Sequence, residues 1–317
     1  MGAIPFLCIL LRPCALVRPS AALVRSTVLE LAILAAHVLV YPTGMAQERR
    51  PAPSPASPAP ASPAVTAVTA APAMTAVSTV TAAPPVTAAP LTPPEPADPA
   101  DDSKPGAHDP VLLLHGFIDN RSVFVLLRRS LRRHGWQQVW SLNYSPLTCD
   151  IRTAAVLLGN HVEEVCARTG REQVDMVGHS LGGLIARYYI QRLGGDARVR
   201  TLVTLGTPHG GTRVAPLMSA HPLVRQMRPE SDVIAELAEP APHCATHFTA
   251  FWSDLDQIMV PVETAAIDHP DLISRNVRVS GVGHLALPVH PEVAAGIRQA
   301  LTTEDAEAGA TGAASVA

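Results

Sequence analysis

The chain has 317 residues, of which 47% are hydrophobic, and its formal net charge at pH 7 is −3. A chain this close to neutrality carries no charge signal for a polyanion, so we expect no nucleic-acid partner. About half of its 31 prolines fall between residues 51 and 105, which leaves roughly 210 residues for one folded unit with a sizeable core.

The N-terminal 46 residues are mostly apolar, with their best hydrophobic run at residues 28–41. This pattern predicts either a signal peptide that is cleaved after Ala46 or a short membrane anchor. In both cases we expect export, to the medium or to the extracytoplasmic cell surface. Glu30 and His37 interrupt the run and count against a comfortable membrane span.

Residues 47–109 have low complexity and consist mainly of Pro, Ala, Thr, Ser and Val. Repeated prolines remove amide donors and restrict φ, so such a segment cannot build a core. We expect a disordered, extended and semi-rigid tether ahead of the folded unit.

Strand-like and helix-like segments alternate from residue 110 to residue 301. Short apolar segments predict six strands, at 111–114, 136–144, 174–177, 199–205, 247–252 and 277–281. Helical periodicity falls between them or after them, at 122–134, 150–170, 184–193 and 291–301. This order predicts the α/β class, with a mostly parallel, doubly wound sheet of about six strands.

Two segments of the chain after residue 110 lack a regular pattern. Several prolines punctuate residues 212–244, and an insertion of this length after a strand is a candidate lid or substrate wall. Residues 302–317 are expected to be a disordered tail.

The third predicted strand runs directly into Gly178-His179-Ser180-Leu181-Gly182 and then into an amphipathic helix. This is the strand-turn-helix context of a nucleophile elbow, with Ser180 as the candidate nucleophile at the N-terminus of the helix. Glycines at 178 and 182 would let the backbones approach closely. An ordinary glycine-rich turn between a strand and a helix is the alternative.

A serine nucleophile needs a base, and the base needs an acid that orients it. His284 is the candidate base because it follows the last predicted strand. Asp256 is the favoured acid and Asp254 the alternative, since both follow the fifth strand. In doubly wound sheets the ligand crevice lies beyond the carboxyl ends of the strands, which is where all these residues are expected.

Acyl transfer also needs donors for the oxyanion that forms in the transition state. The backbone N–H of Leu181, directly after the candidate nucleophile, is the first candidate donor. The backbone N–H of Phe117, in the loop after the first strand, is the second.

Five motifs in this order are more specific than any one alone: HGF at 115–117, GHSLGG at 178–183, LGTPHGG at 205–211, SDLDQIMVP at 253–261 and GVGHLALP at 281–288. Through them the chain resembles the bacterial triacylglycerol lipase and esterase group of the α/β-hydrolase superfamily. The resemblance implies the α/β-hydrolase fold and a serine carboxylester hydrolase with Ser180, Asp256 and His284 as its triad.

We therefore expect an exported lipase that acts on a lipid or ester substrate, with no cofactor and no metal. A short-chain carboxylesterase, a phospholipase and an acyltransferase would use the same triad and remain alternatives. A non-catalytic lipid-binding module is disfavoured, because all three triad residues are available.

Overall fold

The computed structural model describes residues 20–44, 108–117, 119–143, 150–214 and 221–313. Nearly all of the predicted tether at 47–109, and the predicted cleavage position after Ala46, lie outside these residues. The tether and the cleavage stay predictions.

A sheet of six parallel strands organises the described part of the chain. The strand order is β2-β1-β3-β4-β5-β6, and each neighbouring pair is parallel. The strands are β1 Val111–Leu114, β2 Val139–Leu142, β3 Val174–His179, β4 Val199–Leu205, β5 His247–Ser253 and β6 Ile273–Val279. The predicted doubly wound sheet of about six strands is confirmed.

Helices cover both faces of this sheet. They are α1 Ala21–Gly44, α2 Val125–Arg133, α3 Ile151–Thr169, α4 Leu181–Arg192, α5 Pro222–Gln226, α6 Asp232–Ala238 and α7 Pro291–Ala313. Side chains alternate between faces along a strand, so Leu112 and Leu114 join a core with α3 and α4. Val111 and Leu113 join a second core with α2 and α7. Burial on both faces explains the continuous apolar run of β1.

The ends of α3 follow directly from its sequence. The side chain of Asp150 accepts a hydrogen bond from the Thr153 amide at 2.8 Å, which satisfies one of the free amides of the first turn. Gly170 adopts φ 67° at the C-terminus, a left-handed conformation that favours glycine. The predicted start and stop of this helix are confirmed.

Several predicted boundaries differ from the structure. Strand β2 is shorter than 136–144, because Trp136 precedes it and stacks on His108 with ring centroids 4.0 Å apart. Strand β6 begins at Ile273, four residues before its predicted start. The sequence did not predict these four residues because they are exposed on an edge strand and show no apolar pattern. Helix α7 continues to Ala313, into the predicted disordered tail, through a stretch that includes four alanines, the residue with the highest helix propensity.

Residues 221–244 of the predicted lid are tied to α4. The buried guanidinium of Arg187 donates to the Leu237 carbonyl at 2.9 Å. The hydroxyl of Tyr188 donates to Glu236 at 2.6 Å, and Arg152 forms an ion pair with the same carboxylate. Residues 215–220 lie outside the described residues, and movement of a lid stays a prediction.

Helix α1 lies in the same compact unit as the sheet. Leu31, Ile33 and Leu34 pack against the buried Leu285, in the loop after β6. Among the described residues, none of the helices combines the length and apolar character needed to cross a membrane.

Candidate active site

The turn between β3 and α4 holds Ser180 in an unusual backbone conformation, with φ 52° and ψ −120°. Two hydrogen bonds with residues at and after the end of β4 hold it there. The Ser180 amide donates to the Leu205 carbonyl at 2.9 Å, and the Thr207 hydroxyl donates to the Ser180 carbonyl at 3.0 Å. A positive φ at a serine is costly and persists only where the surroundings enforce it. The predicted sharp strand-turn-helix is confirmed.

The two glycines that flank Ser180 in the motif have no room for a side chain. A Cβ on Gly178 would lie 2.6 Å from the backbone of Gly183. A Cβ on Gly182 would lie 2.4 Å from the carbonyl oxygen of Leu114 in β1. The predicted close approach of backbones at both positions is confirmed.

The structure brings His284 and Asp256 together beyond the ends of β6 and β5. His284 Nδ1 lies 2.7 Å from Asp256 Oδ2, and both residues are buried. The other carboxylate oxygen, Oδ1, accepts from the amides of Ile258 at 2.9 Å and Met259 at 3.1 Å. These bonds orient the carboxylate so that His284 donates from Nδ1, which leaves Nε2 as its basic nitrogen.

The alternative acid, Asp254, is engaged elsewhere. Its carboxylate accepts from Arg278 at 2.9 Å and from the Gly281 amide at 3.2 Å. The Arg278 side chain is 58% exposed in this pair, so the bond belongs to the surface of the domain. In the structure, His284 therefore pairs with Asp256. Asp254 instead connects the turn after β5 to the turn after β6.

Nearby charges set the protonation of His284. Burial alone would lower its pKa, but the charge of Asp256 and the hydrogen bond to it outweigh burial. Glu30 and Asp119 add to the effect of Asp256, and the pKa of His284 is raised above its usual value. The site thus favours the imidazolium that a general base forms when it accepts a proton.

The loop after β1 lies against Ser180. A Cβ on Gly116 would lie 3.2 Å from the Cβ of Ser180, so the backbone leading into Phe117 passes close to the nucleophile. The ring of Phe117 meets His221 edge to face, with centroids 5.1 Å apart. Leu181 is the first residue of α4, where backbone amides lack partners within the helix. Leu181 is thus adjacent to Ser180 in the chain, and Phe117 directly follows a residue that lies against Ser180.

Three comparisons with known proteins agree with this architecture. The sequence profile of the palmitoyl protein thioesterase family matches residues 110–260. Triacylglycerol lipases of Pseudarthrobacter phenanthrenivorans and Burkholderia plantarii are each 32% identical over 114 residues, which is 33% of this chain and 35% and 31% of theirs. The chain therefore spans about a third of the length of these curated relatives.

A solved structure, Aspergillus fumigatus lipase B, superposes with a TM-score of 0.52 at 16% identity, covering 62% of this chain and 53% of that one. The chain has the α/β-hydrolase fold. The predicted resemblance is confirmed at this level. In the α/β-hydrolase fold seen here, the strand order changes direction beside β1 and β3, and Phe117 and Ser180 follow these two strands at that switch point.

A buried pair beside the candidate base was missed by sequence reasoning. His179 Nδ1 lies 2.9 Å from Asp119 Oδ2, and His179 Nε2 lies 3.2 Å from the carbonyl oxygen of His284. Burial lowers the pKa of His179, and the Asp119 carboxylate opposes that effect. The pair connects the loop after β1 to the loop that carries the candidate base. The available signal was the position of Asp119, two residues after Phe117.

His209, in the LGTPHGG motif, is buried and does not take part in the candidate triad. Its Nε2 lies 2.9 Å from the hydroxyl of Thr204, and its other ring nitrogen lies 3.4 Å from the Arg187 guanidinium. Burial, and secondarily the charge of Arg187, hold the pKa of His209 well below its usual value. A neutral His209 therefore supports the turn after β4, consistent with the choice of His284 as the base.

Proposed function

We propose that the protein is an exported serine hydrolase that cleaves carboxylic esters of apolar acyl chains, a lipase in the first instance. Ser180 is the nucleophile, His284 the general base and Asp256 the acid that orients it. The observation that carries the proposal is the buried 2.7 Å hydrogen bond between His284 and Asp256, in a fold where the strained Ser180 turn opens at the same edge of the sheet.

In the first half of the reaction, His284 Nε2 takes the proton of the Ser180 hydroxyl while the Ser180 oxygen attacks the ester carbonyl carbon. The carbonyl oxygen becomes an oxyanion, and the amides of Phe117 and Leu181 donate to it. The imidazolium then returns its proton to the alkoxide of the alcohol, which leaves. The acyl group stays on Ser180 as an ester.

In the second half, water replaces the alcohol. His284 takes a proton from water, whose oxygen attacks the acyl carbon, and the proton then returns to Ser180 as the fatty acid leaves. The charge of Asp256 stabilises the imidazolium in both halves. Because the pKa of His284 is raised, activity should fall as pH decreases through that pKa.

The comparisons support an apolar acyl group but differ in the leaving group. The curated relatives are triacylglycerol lipases, which release an alcohol, whereas the matching family is named for palmitoyl thioesters of proteins. We hold a long-chain acyl thioesterase as the second candidate for this reason. The same serine chemistry applies to both, since only the leaving atom changes from oxygen to sulfur.

Matched substrates separate the candidates. A series of p-nitrophenyl esters from acetate to palmitate, emulsified triglyceride and palmitoyl-CoA would be compared by kcat/KM. A lipase prefers long chains and hydrolyses the emulsion. Activity confined to short soluble esters would instead identify a carboxylesterase, and a preference for palmitoyl-CoA would identify a thioesterase. Phospholipid vesicles, and a glycerol acceptor in place of water, test the phospholipase and acyltransferase alternatives.

The nucleophile is tested with a fluorophosphonate probe, which labels activated serines. We expect labelling of the intact protein to disappear in Ser180→Ala and to persist in Ser274→Ala, whose side chain is exposed on the edge strand β6. Labelling that survives Ser180→Ala would contradict the proposal. Ester turnover that His284→Ala abolishes would rule out a non-catalytic lipid-binding module.

Export belongs to the same proposal. It is supported by the apolar N-terminus and by the proline-rich segment that separates it from residues 108–313. The measurement is fractionation of the producing cells, with the protein expected in the medium or at the extracytoplasmic surface. Recovery only from the cytosol would contradict export.

A further inference from the structure

The carboxylate of Glu30 reaches from α1 into residues 280–286, the loop after β6 that carries His284 and is called the base loop below. Its Oε2 accepts a hydrogen bond from the Leu285 amide at 2.9 Å, and its Oε1 accepts one from the Ala286 amide at 3.0 Å. These two residues directly follow His284, and Glu30 itself is 1% exposed. One side chain of the N-terminal helix thus holds the backbone of the base loop at two consecutive positions.

The base loop is shaped to accept this side chain. A Cβ on Gly283 would lie 2.4 Å from both the Cδ and the Oε1 atoms of Glu30. The missing side chain at position 283 therefore provides the space that the carboxylate fills. Since Gly283 precedes His284 and the two bound amides follow it, Glu30 contacts the base loop on both sides of the histidine.

Helix α1 also reaches the loop that carries the acid. Gln257, the residue after Asp256, donates to the Thr27 hydroxyl at 3.4 Å. Ile258 packs in the same small apolar cluster as Leu31. One helix therefore contacts both loops of the candidate acid-base pair.

A buried carboxylate is an expensive way to pack a helix. Removing a charged group from water costs several kcal/mol unless hydrogen bonds compensate, and a leucine would fill an apolar interface without that cost. Glu30 is the sole acidic residue in Ala21–Gly44, and it lies where two amides and a histidine can use its charge. Within the described ranges of the chain, the ionisable groups Asp256, Glu30, Asp119 and His179 act on His284.

We propose that Glu30 is a positioning residue for His284, and that α1 is therefore a working part of the enzyme and remains attached in its active form. This inference rests on the proposed function, since it assigns Glu30 to the base of that triad. It also opposes one of the two expectations for the N-terminus, because a leader removed after Ala46 would take Glu30 with it. Export of a chain that retains its N-terminus is compatible with it.

The test uses the rate at which fluorophosphonate labels the full-length protein, measured from pH 5 to pH 9. In Glu30→Gln the negative charge is lost and an amide NH₂ faces one of the two backbone N–H groups. We expect the plateau rate to fall on the order of tenfold through misalignment of the base. We also expect the acid limb of the curve of labelling rate against pH to move to lower pH, because Glu30 raises the pKa of His284. Arg25→Gln, an exposed change on the same helix, should alter neither.

A purely structural role would lower the amount of folded protein without moving the acid limb. Unchanged plateau and acid limb in folded Glu30→Gln would overturn the inference while leaving the proposed function intact. Loss of the proposed function has a different signature, namely labelling of the wild-type protein that does not depend on Ser180.

A second pair of variants keeps the test decisive if Glu30→Gln does not fold. Gly283→Ala should displace Glu30 and slow labelling, whereas adding Gly283→Ala to Glu30→Ala should slow it much less, since the shortened side chain removes the clash. Additive effects would overturn the inference. So would mass spectrometry showing that the labelled, exported enzyme begins after residue 46.

Discussion

Replacing Asp256 with asparagine changes one atom of the buried acid and should leave its position intact. The Oδ1 atom can still accept from the amides of Ile258 and Met259, at 2.9 and 3.1 Å in the native protein. These bonds force the new NH₂ group toward His284 Nδ1, which lies 2.7 Å from the native Oδ2. Because the NH₂ group donates, Nδ1 must accept and the ring proton moves to Nε2. The atom that should take the serine proton is then already protonated.

The expected cost follows from that tautomer change. In a serine protease the equivalent substitution lowers kcat by about 10⁴, which corresponds to roughly 5.5 kcal/mol of transition-state stabilisation. We expect a loss of this order in Asp256→Asn, with little change in KM for a p-nitrophenyl ester. Thermal unfolding should shift little, because the packing volume and the two amide bonds are retained.

Asp254→Asn is the matched control, since it makes the same chemical change two residues away. Its partner Arg278 is largely exposed, and exposed ion pairs contribute at most about 1 kcal/mol to stability. Activity within about twofold of the native protein is expected, because Asp254 has no bond to His284. A larger loss in Asp254→Asn than in Asp256→Asn, measured as kcat at the pH plateau, would refute the assignment of the acid.

Three further substitutions test the scaffold. Gly182→Ala should destabilise the protein by about 3 kcal/mol or more in urea titrations and should impair fluorophosphonate labelling, because its Cβ would lie 2.4 Å from the Leu114 carbonyl oxygen. Arg187→Met should leave the Leu237 carbonyl with only the longer, 3.5 Å hydrogen bond from the Gln191 side chain, cost about 1–3 kcal/mol and speed proteolysis within residues 221–244, with unchanged proteolysis as the contrary result. His209→Gln should weaken the dependence of the unfolding free energy on pH below neutrality. The pKa of His209 is depressed in the native protein, so the unfolded chain binds the proton first. The native protein therefore loses stability as pH drops below about 6.5, by up to about 1.4 kcal/mol per pH unit. An unchanged slope in calorimetric scans from pH 7 to pH 5 would contradict this.

Much of the candidate site was predictable because parallel topology constrains where strands end. Because β1, β3, β5 and β6 are parallel strands of one sheet, the residues after them lie at the same edge of that sheet. Ser180, Asp256 and His284 each follow a strand whose predicted end lies within two residues of the observed one. Local sequence also predicted the turn at Ser180, since glycines at 178 and 182 indicate the close backbone approach.

The remaining contacts of the site depend on long sequence separations, for which no local pattern exists. Asp119 and His179 are 60 residues apart, and Glu30 and Leu285 are 255 residues apart. A lone acid in an apolar helix indicates only that the helix is an imperfect membrane span. It does not indicate which amides the carboxylate will bind, because that depends on the packing of α1 against the completed sheet.

The same acid explains why composition alone misdirects the interpretation of α1. Hydrophobic residues suit a bilayer and a protein interface equally, so the run at 28–41 cannot distinguish them. Glu30 distinguishes them energetically, because a carboxylate finds backbone donors in a protein loop but none in hydrocarbon. Burial raises the pKa of Glu30, and the two amides and His284 oppose that effect.

The consequence for catalysis is a question of charge balance. In the proposed mechanism, His284 changes from neutral to positive in a buried site during each half-reaction, a change that water would otherwise stabilise. Asp256, Glu30 and Asp119 all favour the positive form, so the site is prepared for the charge before the proton moves. The same carboxylates raise the pKa of His284, and each therefore narrows the pH range in which the base is neutral. Removing Glu30 should for this reason extend activity toward acid while lowering its maximum, a combination that loss of folding alone cannot produce.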